Sequence, residues 1–332
     1  MVIQGLITLI FCVPIQKNAD AQTGVCYGIL GSNLPAPPDV VSLFKQYGIG
    51  SVRVYNGDLR VLQALSGSQV SVMVGVPNKD IPAIGKNPAA AQAWVQTNIR
   101  GFPGVNFKYI VVGNEINPSD PASASIAPFV GPAMANNYIA VSGSSIKVST
   151  AVSTGLLGQS YPPSAGAFRE DLAGYIGPII DFLKTHSTLF LNTYPYLAYA
   201  RDPGHISLEY ALFTSPSAVV IDGPYQYQNL FDAILDAFYV ALGKYRAPNV
   251  DIVVSETGWP TTGGLGATVD NARIFNNNLV KHAHGGTPRT TGKFIEAYIF
   301  DVIDEDQKSP ELEKHWGVFY PNRQPKYPIS FS

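Results

Sequence analysis

The chain has 332 residues, 46% of them hydrophobic and only 14% Asp, Glu, Lys or Arg, well below the roughly 25% charged content of an average soluble domain. A formal net charge of −2 gives neither nucleic acid nor an anionic membrane a surface to be drawn to, so neither is expected as a partner. The 18 Tyr and 16 Phe suit a neutral ligand that packs on flat rings.

Residues 2–15 are mostly apolar and interrupted by Pro14, too short a run for the roughly 20 residues of a membrane span. Ala19-Asp20-Ala21 then places small residues where a signal peptidase inspects them, which predicts a signal peptide over 1–21 and cleavage before Gln22. Cys12 would leave with it. Cys26 would remain as a single thiol, expected to be buried and inert in an apolar strand-like run.

In chain order, apolar β-branched runs occur at 25–27, 51–55, 71–76, 109–112, 146–152, 189–194, 251–255 and 296–303. Helical spacing fills stretches between them, at 40–47, 88–99, 172–185, 230–245 and 271–284. Runs that do not alternate in polarity are the mark of parallel strands covered on both faces. Eight β-then-α units at this length predict an α/β fold, a single (β/α)8 TIM barrel over 22–332. No Gly-rich phosphate loop follows the first run, which disfavours a dinucleotide-binding domain, and no cofactor is expected.

Catalytic groups in such barrels sit at the C-terminal ends of strands. Strand four runs Tyr109-Ile110-Val111-Val112 and turns polar as Gly113-Asn114-Glu115. Strand seven runs Asp251-Ile252-Val253-Val254 and closes as Ser255-Glu256-Thr257-Gly258-Trp259-Pro260. Two carboxylates facing one cleft are what glycosidic cleavage requires, one protonated to assist the leaving oxygen and one ionised at C1. Asn114 can offer its amide to the sugar 2-OH. Tyr55, Tyr194, Tyr196 and Trp259 are candidates to line a sugar groove, with Trp259 equally placed to pack the loop that carries Glu256. The pair His282 and His284 lies at a helix end with no further ligand to complete a metal site, and no Gly-x-Ser-x-Gly elbow is present.

Val112-Gly113-Asn114-Glu115 together with Val254-Ser255-Glu256-Thr257-Gly258-Trp259-Pro260 resembles the plant endo-β-1,3-glucanases of glycoside hydrolase family 17. Gly24-Val25-Cys26-Tyr27-Gly28, the run from Ile146 to Val152, Asn192-Thr193-Tyr194-Pro195-Tyr196 and Tyr161-Pro162-Pro163-Ser164-Ala165-Gly166 extend the resemblance over nearly the whole mature chain. It implies a retaining endo-hydrolase of β-1,3-glucan with Glu256 as nucleophile and Glu115 as acid/base, serving plant defence or callose remodelling. It also implies substrate contacts from Asn192, and from Glu305, Lys308 and Glu313 near the end of the chain. Lys308 is expected to offset repulsion among the carboxylates.

The chain departs from the family pattern at Asn56-Gly57, Leu197, Ile303 and Asp306. Leu197 and Ile303 are expected to weaken sugar subsites, and Asp306 to add negative charge beside Glu305. The chain stops at Ser332, shortly after Tyr327-Pro328, so an extracellular monomer without a binding appendage or vacuolar extension is expected. Mixed-linkage β-1,3;1,4-glucan is an alternative substrate, and a glucan-binding protein with little turnover an alternative function.

Overall fold

A computed structural model describes residues 23–331. The expected signal peptide lies outside them. Eight parallel strands close into a barrel in chain order: β1 (Gly24–Tyr27), β2 (Ser51–Val54), β3 (Ser71–Val76), β4 (Asn106–Asn114), β5 (Lys147–Ser153), β6 (Leu189–Asn192), β7 (Ile252–Thr257) and β8 (Ala297–Ile299). Closure comes from β1, which pairs with β2 through Val25 and Val52 and with β8 through Val25 and Ile299. Strands β1, β2, β6, β7 and β8 are buried at every position, as a sheet covered by helices outside and side chains inside must be.

The covering helices follow from local sequence. Pro37–Tyr47 starts with prolines, whose missing N–H costs nothing in the first turn, and ends at Gly48 in the left-handed region (φ 69°). Leu230–Lys244 and Val269–His282 begin at Asn229 and Thr268, whose side chains accept from the backbone N–H groups of Asp232 and Asn271. Five further helices, Leu59–Leu65, Ile81–Lys86, Val130–Ala140, Pro195–Arg201 and Leu208–Ala211, lie outside the stretches named from helical spacing.

The proline-rich loop at 161–166 is pinned rather than free. Asp222, in the hairpin of Val220–Asp222 with Tyr225–Tyr227, accepts the Ser164 N–H and hydroxyl at 2.6 Å each. Gly166 meets the helix Leu230–Lys244 so closely that a Cβ would stand 2.1 Å from the Ala237 carbonyl oxygen.

Register shifts occur just where the two carboxylates leave the barrel. The β4–β5 pairing slips between Val111 and Asn114, and the β6–β7 pairing between Val254 and Glu256. A bulge at a strand end re-aims the next side chain. Gly113 (φ 81°) and Glu115 (φ 53°) complete the turn on β4. A non-glycine residue in that region is uncommon, and such strain concentrates at functional sites.

Candidate active site

One cation and two hydroxyl donors converge on the Glu256 carboxylate. Arg53 Nη1 (2.9 Å) and the Tyr55 hydroxyl (2.8 Å) reach Oε1, and the Tyr194 hydroxyl (2.7 Å) reaches Oε2. The group is only 6% exposed. A buried carboxylate is tolerable only when its lone pairs are met in this way.

Glu115 is set differently. Its side chain is exposed, although protein surrounds most of its carboxyl. One donor meets it, the Asn192 amide at 2.9 Å on Oε1. Burial, and then the nearby Glu256 charge, push its pKa up, while Asn192 and Arg53 oppose the rise. Two glutamates thus occupy one cleft, one ringed by donors and one biased toward holding a proton.

Asn192 links them. Its Nδ2 donates to Glu115 Oε1 and to Asn114 Oδ1 (3.0 Å), while its Oδ1 accepts from Arg53 (2.8 Å) and from the Ser255 hydroxyl (2.8 Å). Both donors and both acceptor positions are used within the protein. In this structure Asn192 orients Glu115. Asn114 is the opposite case. Its Oδ1 accepts from Arg53 Nη2 (2.7 Å) and Asn192, which leaves its NH2 free to donate into the cleft. Asn78 clamps the Asn114 backbone from both sides, accepting from its N–H and donating to its carbonyl.

Arg53 and Asn78 were missed by sequence reasoning. For Arg53 a signal existed: a single charge inside the run Ser51-Val52-Arg53-Val54-Tyr55, where a buried arginine demands a partner. Asn78, in a short turn after β3, carries no comparable signal.

Four expectations are corrected. Trp259 is fully buried, stacked 6.0 Å from Tyr199, with Tyr196 and Phe275 at 5.0 and 5.5 Å, and its Nε1–H donates to the Gly266 carbonyl. No ring face is left for a sugar, so it supports the loop after Glu256. Tyr196 is buried against Trp259 and Trp316, because Pro195 opens a helix and turns it away from the direction of Tyr194. Glu305 is buried too, accepting from the Leu30 N–H (2.7 Å) and paired with Lys308 (2.6 Å). Ile303 lies in the core and cannot weaken a subsite.

Lys308 also stands 4.0 Å over the Phe300 ring. Burial alone would lower its pKa, but the charges of Asp301 and Glu305 raise it, so it remains a cation. Glu313 is pushed up by burial, with Lys308 opposing and Glu256 and Glu305 adding. Asp306 turns instead to Ser32, accepting from its N–H (2.7 Å) and hydroxyl (2.5 Å). Leu197 is exposed. Cys26 is buried, its thiol donating to the Ser255 carbonyl, and burial raises its pKa, which makes it a poor nucleophile. His282 is engaged with Asp232 at 2.7 Å.

Comparisons with known proteins place the chain in a family. The chain is 49% identical to a basic vacuolar isoform of glucan endo-1,3-β-glucosidase from Nicotiana tabacum, over 98% of this chain and 90% of the relative. The fold superposes on a β-1,3-glucanase and allergen of Cryptomeria japonica pollen with a TM-score of 0.90 and 42% identity, covering 94% of this chain and 99% of the other. A second structure, one of two plant β-glucan endohydrolases described as having distinct substrate specificities, gives 0.89 and 46%, covering 93% and 100%. The family model for glycosyl hydrolases family 17 matches residues 23–331, and the chain belongs to that family.

Proposed function

We propose that this protein hydrolyses internal β-1,3-glucosidic bonds of β-1,3-glucan with retention of anomeric configuration. Glu256 attacks C1, and Glu115 protonates the departing oxygen and then deprotonates the incoming water. The observation that carries the reading is the unequal surroundings of the two glutamates: a buried cation and two hydroxyl donors on Glu256, one amide donor on Glu115, and a raised pKa on Glu115. Asn114 donates its free amide to the substrate, and the Tyr55 and Tyr194 hydroxyls hold the nucleophile. Lys308 and Glu313 form the charged wall beside them. No metal or organic cofactor is needed for this chemistry.

The near-neutral charge favours an uncharged polysaccharide over nucleic acid. Among the described residues no helix is long and apolar enough to cross a membrane, and the apolar run 2–15 followed by Ala19-Asp20-Ala21 supports secretion. Reducing-end assays on laminarin, mixed-linkage glucan and cellulose test the function. Laminarin should be cut to a ladder of oligosaccharides and cellulose left intact. Preference for mixed-linkage glucan would move the substrate assignment, and binding without turnover on all three would defeat the enzymatic reading.

A further inference from the structure

Arg53 sits mid-strand on β2 with 1% of its surface exposed. Nη1 contacts Glu256 Oε1 (2.9 Å), Asn192 Oδ1 (2.8 Å) and the Ser255 carbonyl (3.0 Å), and Nη2 contacts Asn114 Oδ1 (2.7 Å). Glu256 is the carboxylate it touches. A guanidinium buried this deeply is costly unless an opposite charge stays close. Under double displacement, that partner loses its charge halfway through each turnover.

Charge accounting shows where the counter-ion goes. At the start the site holds Arg53 as a cation, Glu256 as an anion and Glu115 as a neutral acid. In the first half, a Glu256 oxygen bonds to C1, the glycosidic C1–O bond breaks, and the leaving oxygen takes the Glu115 proton. Glu256 is now a neutral ester and Glu115 an anion. In the second half, water gives a proton to Glu115 and its oxygen bonds to C1. The ester C1–O bond then breaks and returns the Glu256 carboxylate. The sum of the three groups is zero throughout, and the negative charge moves from Glu256 to Glu115 and back.

We propose that Arg53 is a positioning residue that serves the two glutamates in turn, neutralised by Glu256 in the free enzyme and turning its charge onto Glu115 through Asn192 once Glu256 is esterified. The inference rests on the double-displacement reading above. Asn192 is built for the relay, since the oxygen that accepts from Arg53 and the nitrogen that donates to Glu115 belong to one amide. A donor polarised in this way binds an anion more strongly. The other titratable groups facing Glu115 and Arg53 are Tyr194, Glu313, Tyr55 and Cys26. None of these is consumed in the reaction, so they add a constant background.

The test titrates Glu115 by ¹³C NMR of glutamate-labelled enzyme, free and trapped as the ester of a 2-deoxy-2-fluoro-laminaribiosyl donor. Wild type, Arg53→Lys and Arg53→Gln are compared, with Glu115 assigned by its absence in Glu115→Gln. In wild type the proton affinity of Glu115 should fall by more than about tenfold on trapping. Arg53→Lys, which keeps the charge but not the planar fork, should retain most of that fall. Loss of the Glu256 charge lowers that affinity in every variant, so Arg53→Gln should show a smaller fall than wild type and accumulate glycosyl-enzyme with activated aryl substrates, lowering kcat and KM together. An equal fall in wild type and Arg53→Gln would overturn the proposal. So would loss of the fall in Arg53→Lys, which also decides the matter if the Gln variant does not fold. Failure of any variant to form an ester at Glu256 would instead refute the double-displacement reading.

Discussion

Glu115 and Glu256 are the same side chain in two settings, and their separate roles rest on that difference. Removing each carboxyl should therefore give different chemistry. With Glu256→Gly, turnover of laminarin should fall by several orders of magnitude, and azide entering the vacated space should yield a glycosyl azide of inverted configuration. With Glu115→Gly, polysaccharide should nearly stop reacting, while an aryl glycoside still forms the intermediate and azide resolves it with net retention. Exchange of the two outcomes, read by NMR of the azide products, would reverse the assignment. The pH profile follows from Glu115 as well. Burial and the Glu256 charge raise its pKa, so the protonated acid persists above the ordinary glutamate range. Activity should decline as pH rises through that raised value. Glu115→Gln should abolish that alkaline limb on activated aryl substrates, and its survival in the variant would show that another group sets it. Both glutamates were legible because each closes an apolar run. Arg53 and Asn192 were harder to read, because their roles depend on which strands the barrel brings together.

Strand order was readable from eight non-alternating runs, and the bounds of β3 agree at both ends. The run at 189–194 ran too far, since β6 stops at Asn192 and Pro195 starts a helix. Two residues on, a strand returns a side chain to the same face, whereas a helix carries it about 200° around its axis. That is why Tyr194 reaches the cleft and Tyr196 does not. Ile81–Lys86 and Val130–Ala140 gave no periodic signal because Pro, Gly and Ala dilute their apolar faces. The segment after β7 depends on packing: Trp259→Ala should cost about 3–5 kcal/mol, the usual range for a buried Trp. It should lower Tm clearly and reduce kcat through displacement of Glu256. A variant with unchanged Tm and a raised KM would restore Trp259 to the sugar groove.

For the whole molecule, a low charge count and a closed barrel suit a catalyst for a neutral polymer. If secretion removes residues 1–21, the mature protein has 311 residues, 332 less the 21 removed. Its net charge stays at −2, because Lys17 and Asp20 leave together. Edman sequencing of secreted protein should begin at Gln22 or at its cyclised form after deblocking, and retention of Met1 in the secreted form would refute cleavage. The central claim is that Glu256 makes the covalent bond to the sugar. Incubation with 2-deoxy-2-fluoro-laminaribiosyl fluoride, followed by proteolysis and mass spectrometry, tests it directly. One fluorosugar should appear, on the peptide containing Glu256. A label on Glu115, Glu305 or Glu313, or inactivation without any covalent adduct, would contradict the account.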